Sequence, residues 1–196
     1  MRRTLIASAF AVGVCLCACA CASGAAAVSG PGVTPLPASP VAVQPAPGAA
    51  ILDSRVVGLP LVASADGITA VAAANDVPDA ADALPLYDSW GWVVESRRSF
   101  GRVAQAGSGS VEVTVLLTLR VSGAESAFGF LAEQAAVPPL IAAACPASVV
   151  GTDQCALGSG GGRVLVVGRV GTEVFEVSAT GADAPHLASF QAARLR

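Results

Sequence analysis

Residues Val111 to Val121 alternate with a period of two. Val111, Val113, Val115, Leu117, Leu119 and Val121 fall on one side, and Glu112, Thr114, Leu116, Thr118 and Arg120 on the other. Successive side chains of a strand point to opposite faces, so this run predicts a strand with a continuously apolar face that must meet a core. Period-two segments flank it in sequence. Trp92 to Phe100 reads as a strand, followed by a loop through Gly107-Ser108-Gly109. Arg163 to Val170 and Thr172 to Thr180 read as a tight pair joined around Val170-Gly171.

Between and around these runs the spacing becomes helical. Ser122-Gly123-Ala124-Glu125 opens a helix with Ala127, Phe128, Phe130, Leu131 and Ala135 on one side, ending before Pro138. Pro78 to Trp90 is expected to be helical, with Pro85 starting a new turn or kinking it and Gly91 as the stop. Asp183 is placed to cap a last helix with Pro185 in its first turn and an inner stripe of Leu187, Phe190 and Leu195. Upstream, Ile51 to Val62 looks extended, and Asp66 to Ala74 suits a short helix capped by Asp66. The order predicts an α+β domain: an antiparallel sheet of about four to five strands with two to three helices covering one face.

The N-terminus predicts where this domain resides. Arg2 and Arg3 precede an apolar run, Leu5 to Leu16, followed by the small residues Ala18, Ala20 and Ala22. That is the layout of a signal peptide, and the run is too short and too rich in Ala, Gly and Cys for a spanning helix. Leu16-Cys17-Ala18-Cys19 resembles a bacterial lipobox, which makes Cys19 the expected site of diacylation with palmitate-type chains and Cys21 the alternative. A secretory signal cut at Ala20-Cys21-Ala22 would instead release a soluble, secreted protein. Arg2-Arg3 also suggests a twin-arginine route, which Thr4-Leu5-Ile6 fits badly. The expected organisation is a signal peptide over residues 1–18, a lipidated N-terminus and Pro/Ala-rich linker over 19–50, and one extracytoplasmic domain over 51–196. The linker carries Pro31, Pro35, Pro37, Pro40, Pro45 and Pro47 and no charge after residue 22. Its r.m.s. reach is roughly 30 Å if flexible and about 90 Å if polyproline-like.

All 11 basic residues are arginine, a bias of GC-rich genomes, and loss of Arg2 and Arg3 with the leader leaves 9 of them against 14 acidic residues. A net charge of about −5 does not suit nucleic acid, whose phosphates demand basic clusters. Outside the leader, Cys145 and Cys155 are spaced for a disulfide in an oxidising compartment, the rival being free or redox-active thiols. With His186 the sole histidine, a zinc site lacks ligands, and no metal or cofactor is expected.

Catalytic patterns are weak. His186 sits in the first turn of a helix, and no G-x-S-x-G elbow presents a serine. Gly158-Ser159-Gly160-Gly161-Gly162 precedes a strand rather than a helix and reads as a flexible connector, not a phosphate loop. Glu95, Glu112, Glu173 and Glu176 fall on strands and could pair as acid and base, but charges at outward strand positions mostly serve solvation. No catalytic residue is assigned. The richer cluster is Tyr87, Trp90, Trp92, Arg97, Arg98 and Phe100, which holds both tryptophans and the only tyrosine. Arg97 and Arg98 must point to opposite sheet faces, leaving one to face a groove. Aromatic walls with a guanidinium suit a small anionic or amphiphilic ligand, or a protein hot spot. The alternative is that these rings form the core and the arginine pairs with Glu95, Glu112 or Asp88.

The segment Gly91 to Phe100, the valine strand, the helix with Ala124, Ala127 and Phe128, and the ending Gly168 to Gly181 together resemble a pattern in secreted actinobacterial lipoproteins. Similar arrangements occur in the extracellular sensor domains of actinobacterial serine/threonine kinases. The resemblance implies a domain that binds ligands in a cleft. The expected function is therefore that of a non-enzymatic ligand-binding or sensing lipoprotein on the outer face of the bacterial cell membrane. The alternatives are an accessory lipoprotein docking another envelope protein through an exposed sheet face, and a cryptic hydrolase.

Overall fold

The computed structural model describes residues 50–101 and 109–196. The leader, Cys19, Cys21, the proline-rich linker and residues 107 and 108 of the expected loop lie outside the described residues. In chain order the elements are α1 (Ser54–Val57), β1 (Leu61–Ile68), α2 (Ala70–Asn75), α3 (Ala80–Ser89), β2 (Trp92–Phe100), β3 (Ser110–Thr118), α4 (Val121–Gln134), β4 (Ile141–Ala143), β5 (Gln154–Gly160), β6 (Arg163–Val170), β7 (Glu173–Thr180) and α5 (Ala184–Arg194). The strands form one antiparallel sheet in the order β1-β2-β3-β7-β6-β5-β4.

The class is α+β as expected, but the seven strands and five helices among the described residues exceed the four to five strands and two to three helices read from the sequence. The helices also occupy both faces of the sheet, not one. On one face Val111, Val113 and Val115 of β3 join Val166, Phe175 and Val177 beneath Leu187, Ala188 and Ala192 of α5. On the other, Leu116, Leu165, Val167 and Val174 pack against Trp90 and against Ala124 and Ala127 of α4. The physical reason lies in the positions that alternate with the obvious stripe. Leu116, Leu165, Val167 and Val174 give the central strands a second apolar face, and a face of that kind must also be covered.

The alternating run does not stay in the sheet to its end. Thr118 donates its hydroxyl to the Arg120 carbonyl at 2.9 Å, α4 begins at Val121, and Leu119 and Val121 are left exposed. The helix expected from Asp66 is displaced. Asp66 belongs to β1, an edge strand, and Thr69 caps the shorter α2 by accepting from the Ala72 N–H at 3.2 Å. Part of the Ile51 to Val62 stretch is helical, because Asp53 accepts the N–H groups of Arg55 and Val56 and closes α1. Pro85 lies inside α3 without ending it.

Gly158, Ser159 and Gly160 of the expected connector belong to strand β5, and Gly161-Gly162 turn the chain into β6. A Cβ on Gly158 would lie 2.0 Å from the Ala135 carbonyl oxygen, so the glycine is there to let the end of α4 cross the sheet at backbone distance. The disulfide between Cys145 and Cys155 ties β5 to the segment before it and borders the α5 core. At the C-terminus Asp183 caps α5 as expected, accepting from the His186 N–H at 3.1 Å. The inner stripe differs: Phe190 is exposed, and Gln191 is fully buried in its place. Its amide accepts from the Leu52 N–H and donates to the Ala50 carbonyl, both at 3.0 Å, fastening the start of the domain to its last helix.

Candidate functional site

The α4 face of the sheet carries an open cleft. Its floor comes from β2, β3 and β7, whose register sets Arg97 opposite Thr114 and Thr114 opposite Glu176, while Glu95, Leu116 and Val174 form the next row. These residues share one face because each strand is stepped by two. The walls come from α3, the start of β2 and α4. Tyr87 and Trp92 lie 4.7 Å apart between ring centroids, Tyr87 and Trp90 5.2 Å, Trp90 and Trp92 6.4 Å, and Trp90 and Phe130 5.4 Å. Trp92 is oriented by donating its indole N–H to the Ile68 carbonyl at 3.1 Å. Trp90 is almost fully buried and backs the wall, whereas Tyr87 and Trp92 are half-buried and Phe130 is exposed. The wall is fixed to α4 at Gly123, where a Cβ would fall 1.9 Å from the Trp90 carbonyl oxygen, so any larger residue would lift the helix from it.

The cleft holds about 260 Å³, and two further hollows of about 520 and 590 Å³ share lining residues with it. Glu176 lines all three and stands at their junction. Burial, reinforced by the negative charge of Glu95, pushes its carboxyl up to about 7, against the opposing pull of Arg163 and Arg97. Among the described residues no hydrogen bond or ion pair within 4 Å engages this carboxyl. Glu95 is buried, which raises its pKa, and Arg97 opposes that rise by pairing with it. Arg97 also holds Asp76 at 3.0 Å. Burial works against the Arg97 charge, but Glu95 and Asp76 outweigh it and keep the guanidinium firmly protonated. Tyr87 is raised by burial and then by Glu95.

Of the six residues singled out in the sequence, the structure brings Tyr87, Trp90, Trp92 and Arg97 together at the cleft. Arg98 and Phe100 are not there. Arg98 points to the opposite face and pairs with Asp66 of β1 at 2.8 Å, holding that carboxyl below its usual range, and Phe100 is buried in the α5 core. The alternation that separates Arg97 from Arg98 also separates Phe100 from the cleft. The pairing of the cluster's arginine with Glu95, one of the partners expected from the sequence, is present at Arg97, whereas Glu176 was expected to be a solvated strand charge and Asp76 and Phe130 had no part in a site. The overlooked signal is that Glu176 sits among Val174, Phe175 and Val177, and a charge flanked so closely by apolar residues in a central strand must face a cavity or a partner. His186 lies on α5, across the sheet, edge-on to Phe190 at 4.7 Å. No group of His, Cys, Asp and Glu suited to a metal occurs among the described residues.

The chain is similar to the crystal structure of the extracellular domain of PknH from Mycobacterium tuberculosis. The TM-score is 0.45 with 14% sequence identity, covering 80% of this chain and 95% of that one. No family model matches the chain, and no curated protein matches it in sequence.

Proposed function

We propose that this protein is an extracytoplasmic binding or sensing module, anchored by a lipid on Cys19, with Cys21 as the alternative, and that it takes a small amphiphilic ligand without transforming it. The observation that carries the reading is the cleft itself: a concave, open space walled by Tyr87, Trp92 and Phe130 with polar groups confined to its floor. Ligand sites are built this way, largely apolar with a few placed polar groups that fix orientation. The hydrolase alternative finds no support, since His186 is on the far side of the sheet from Glu95 and Glu176. Helices cover the central strands on both faces, so the docking alternative would have to use β1, the edge strand that is exposed along most of its length.

Both tryptophans of the chain lie at the cleft, so intrinsic fluorescence reports its occupancy. Titration of the full mature chain with alkyl amphiphiles below their micellar concentrations is expected to give a saturable change in emission. Trp92→Ala is expected to weaken binding by about tenfold or more, the loss of one large aromatic contact. Arg98→Ala, on the opposite face, is expected to leave binding unchanged. Equal titrations for Trp92→Ala and the unaltered protein would refute the cleft. The anchor is tested separately by the intact mass of the protein from its host: a diacylglyceryl addition on a chain starting at Cys19 supports the tether, and an unmodified chain starting after Cys21 makes it a secreted protein.

A further inference from the structure

The charge inside the cleft is the reverse of what a guanidinium in an aromatic cluster suggests. Arg97 is already engaged by two carboxylates, Glu95 beneath it and Asp76 at 3.0 Å on the rim. Its charge is spent within the protein, and an incoming anion would have to displace one of these partners. What is left without a counter-charge at contact distance is Glu176, at the junction of the three hollows. The groups that face it are Glu95 and Arg97 on β2, Glu112 on β3 and Arg163 on β6. Asp79 and Asp82 of α3 line the neighbouring hollow, with Gln134 of α4 as the polar group on that side. Arg163 is itself bonded to the Ser178 hydroxyl at 2.6 Å. Acidic groups therefore outnumber basic ones around the space, and the wall above them is made of π-faces. Electron-rich ring faces beside a half-buried carboxylate that has no ion pair among the described residues are the combination that attracts an organic ammonium group.

We propose that the ligand of this cleft is an amphiphilic organic cation, whose ammonium or similar head lies at Glu176 beside Tyr87, Trp92 and Phe130 and whose apolar body runs along Val77, Leu86 and Leu131. This rests on the reading of the cleft as a binding site and adds the sign of the ligand. The head supplies the charge that Glu176 lacks, and the adjoining hollow past α3 is the more apolar of the routes out. Because burial keeps the Glu176 proton on up to about pH 7, a cation that holds the carboxylate ionised displaces that proton. Binding of a permanent cation thus strengthens as pH rises through that value, while binding of an uncharged amphiphile does not.

Three probes that share one tail separate the possibilities: decyltrimethylammonium, decyl maltoside and decyl sulfate, each below its micellar concentration, titrated into the full mature chain by tryptophan emission. At about pH 8 the ammonium is expected to bind about tenfold or more tightly than the sulfate. Its affinity is expected to fall several-fold at about pH 6, with proton release on binding visible in buffers of different ionisation enthalpy. Glu176→Gln is expected to remove most of the ammonium's advantage and its pH dependence while leaving the maltoside unchanged. Sulfate binding as well as or better than the ammonium, or a Glu176→Gln variant that keeps the selectivity, overturns the cationic assignment. Maltoside binding that persists in either case shows that the cleft reading survives without it. Failure of all three probes to bind overturns both readings.

Discussion

Glu176 is the side chain at which folding and binding oppose each other. Its ordinary pKa is 4.5, and in the fold its carboxyl is raised to about 7, chiefly by burial. The folded state therefore keeps a proton that the unfolded chain gives up. The contribution is full below pH 4.5 and is lost as pH rises to 7, a decline of up to about 3 kcal/mol if the whole shift is expressed. Chemical denaturation of the wild type and of Glu176→Gln between about pH 5 and pH 8 is expected to show this decline in the former and most of it absent in the latter. The remaining slope belongs to Glu95 and Glu173, which burial also raises. Parallel slopes for the two proteins would show that Glu176 is solvated. A group held at such a disadvantage is stabilised by a bound cation, which is how a residue unfavourable to the fold serves a site.

Among the elements, β2 and β3 were legible from sequence because their surroundings agree with their pattern. β2 spans the residues expected, Trp92–Phe100, and its alternation assigned Arg97 and Arg98 to opposite faces. What it did not reveal was which arginine meets the cleft, since that depends on α3 and α4 arriving over one face and α5 over the other. β4 and β5 escaped notice for a different reason. Gly158 and Gly160 replace the alternating side chains that mark a strand, and they are glycines because α4 and the Pro139 turn press on the backbone there. The second face of the sheet was not anticipated because its apolar residues, Leu116, Leu165, Val167 and Val174, are interspersed with polar ones such as Thr114 and Glu176.

The segment from β4 to β5 is fastened by Cys145–Cys155, a loop closed over a separation of 10 residues. Replacing both cysteines by alanine is expected to lower stability by about 2 to 3 kcal/mol, the loop-closure entropy returned to the unfolded chain. Urea unfolding with and without reductant measures it, and the alanine pair should make stability insensitive to reductant. Since this segment lies on the α5 side, cleft binding is expected to survive the loss. A cleft that fails together with the disulfide would mean the two faces of the sheet are coupled.

At the scale of the whole molecule, the sequence and the structure describe complementary halves of one proposal. The proposed leader and linker would hold the domain outside the cell membrane, and the described residues supply an α+β body with an aromatic cleft over β2, β3 and β7. The acidic balance of the chain agrees with the acidic balance of the cleft and with a cationic occupant. The most direct test is native mass spectrometry of the protein purified gently from its own host, beside the Trp92→Ala variant prepared in the same way. A small, non-covalent adduct on the former that is missing from the latter is the predicted result, and its exact mass would identify the ligand. An adduct that Trp92→Ala retains, or bare protein in both preparations, would contradict a ligand-binding cleft.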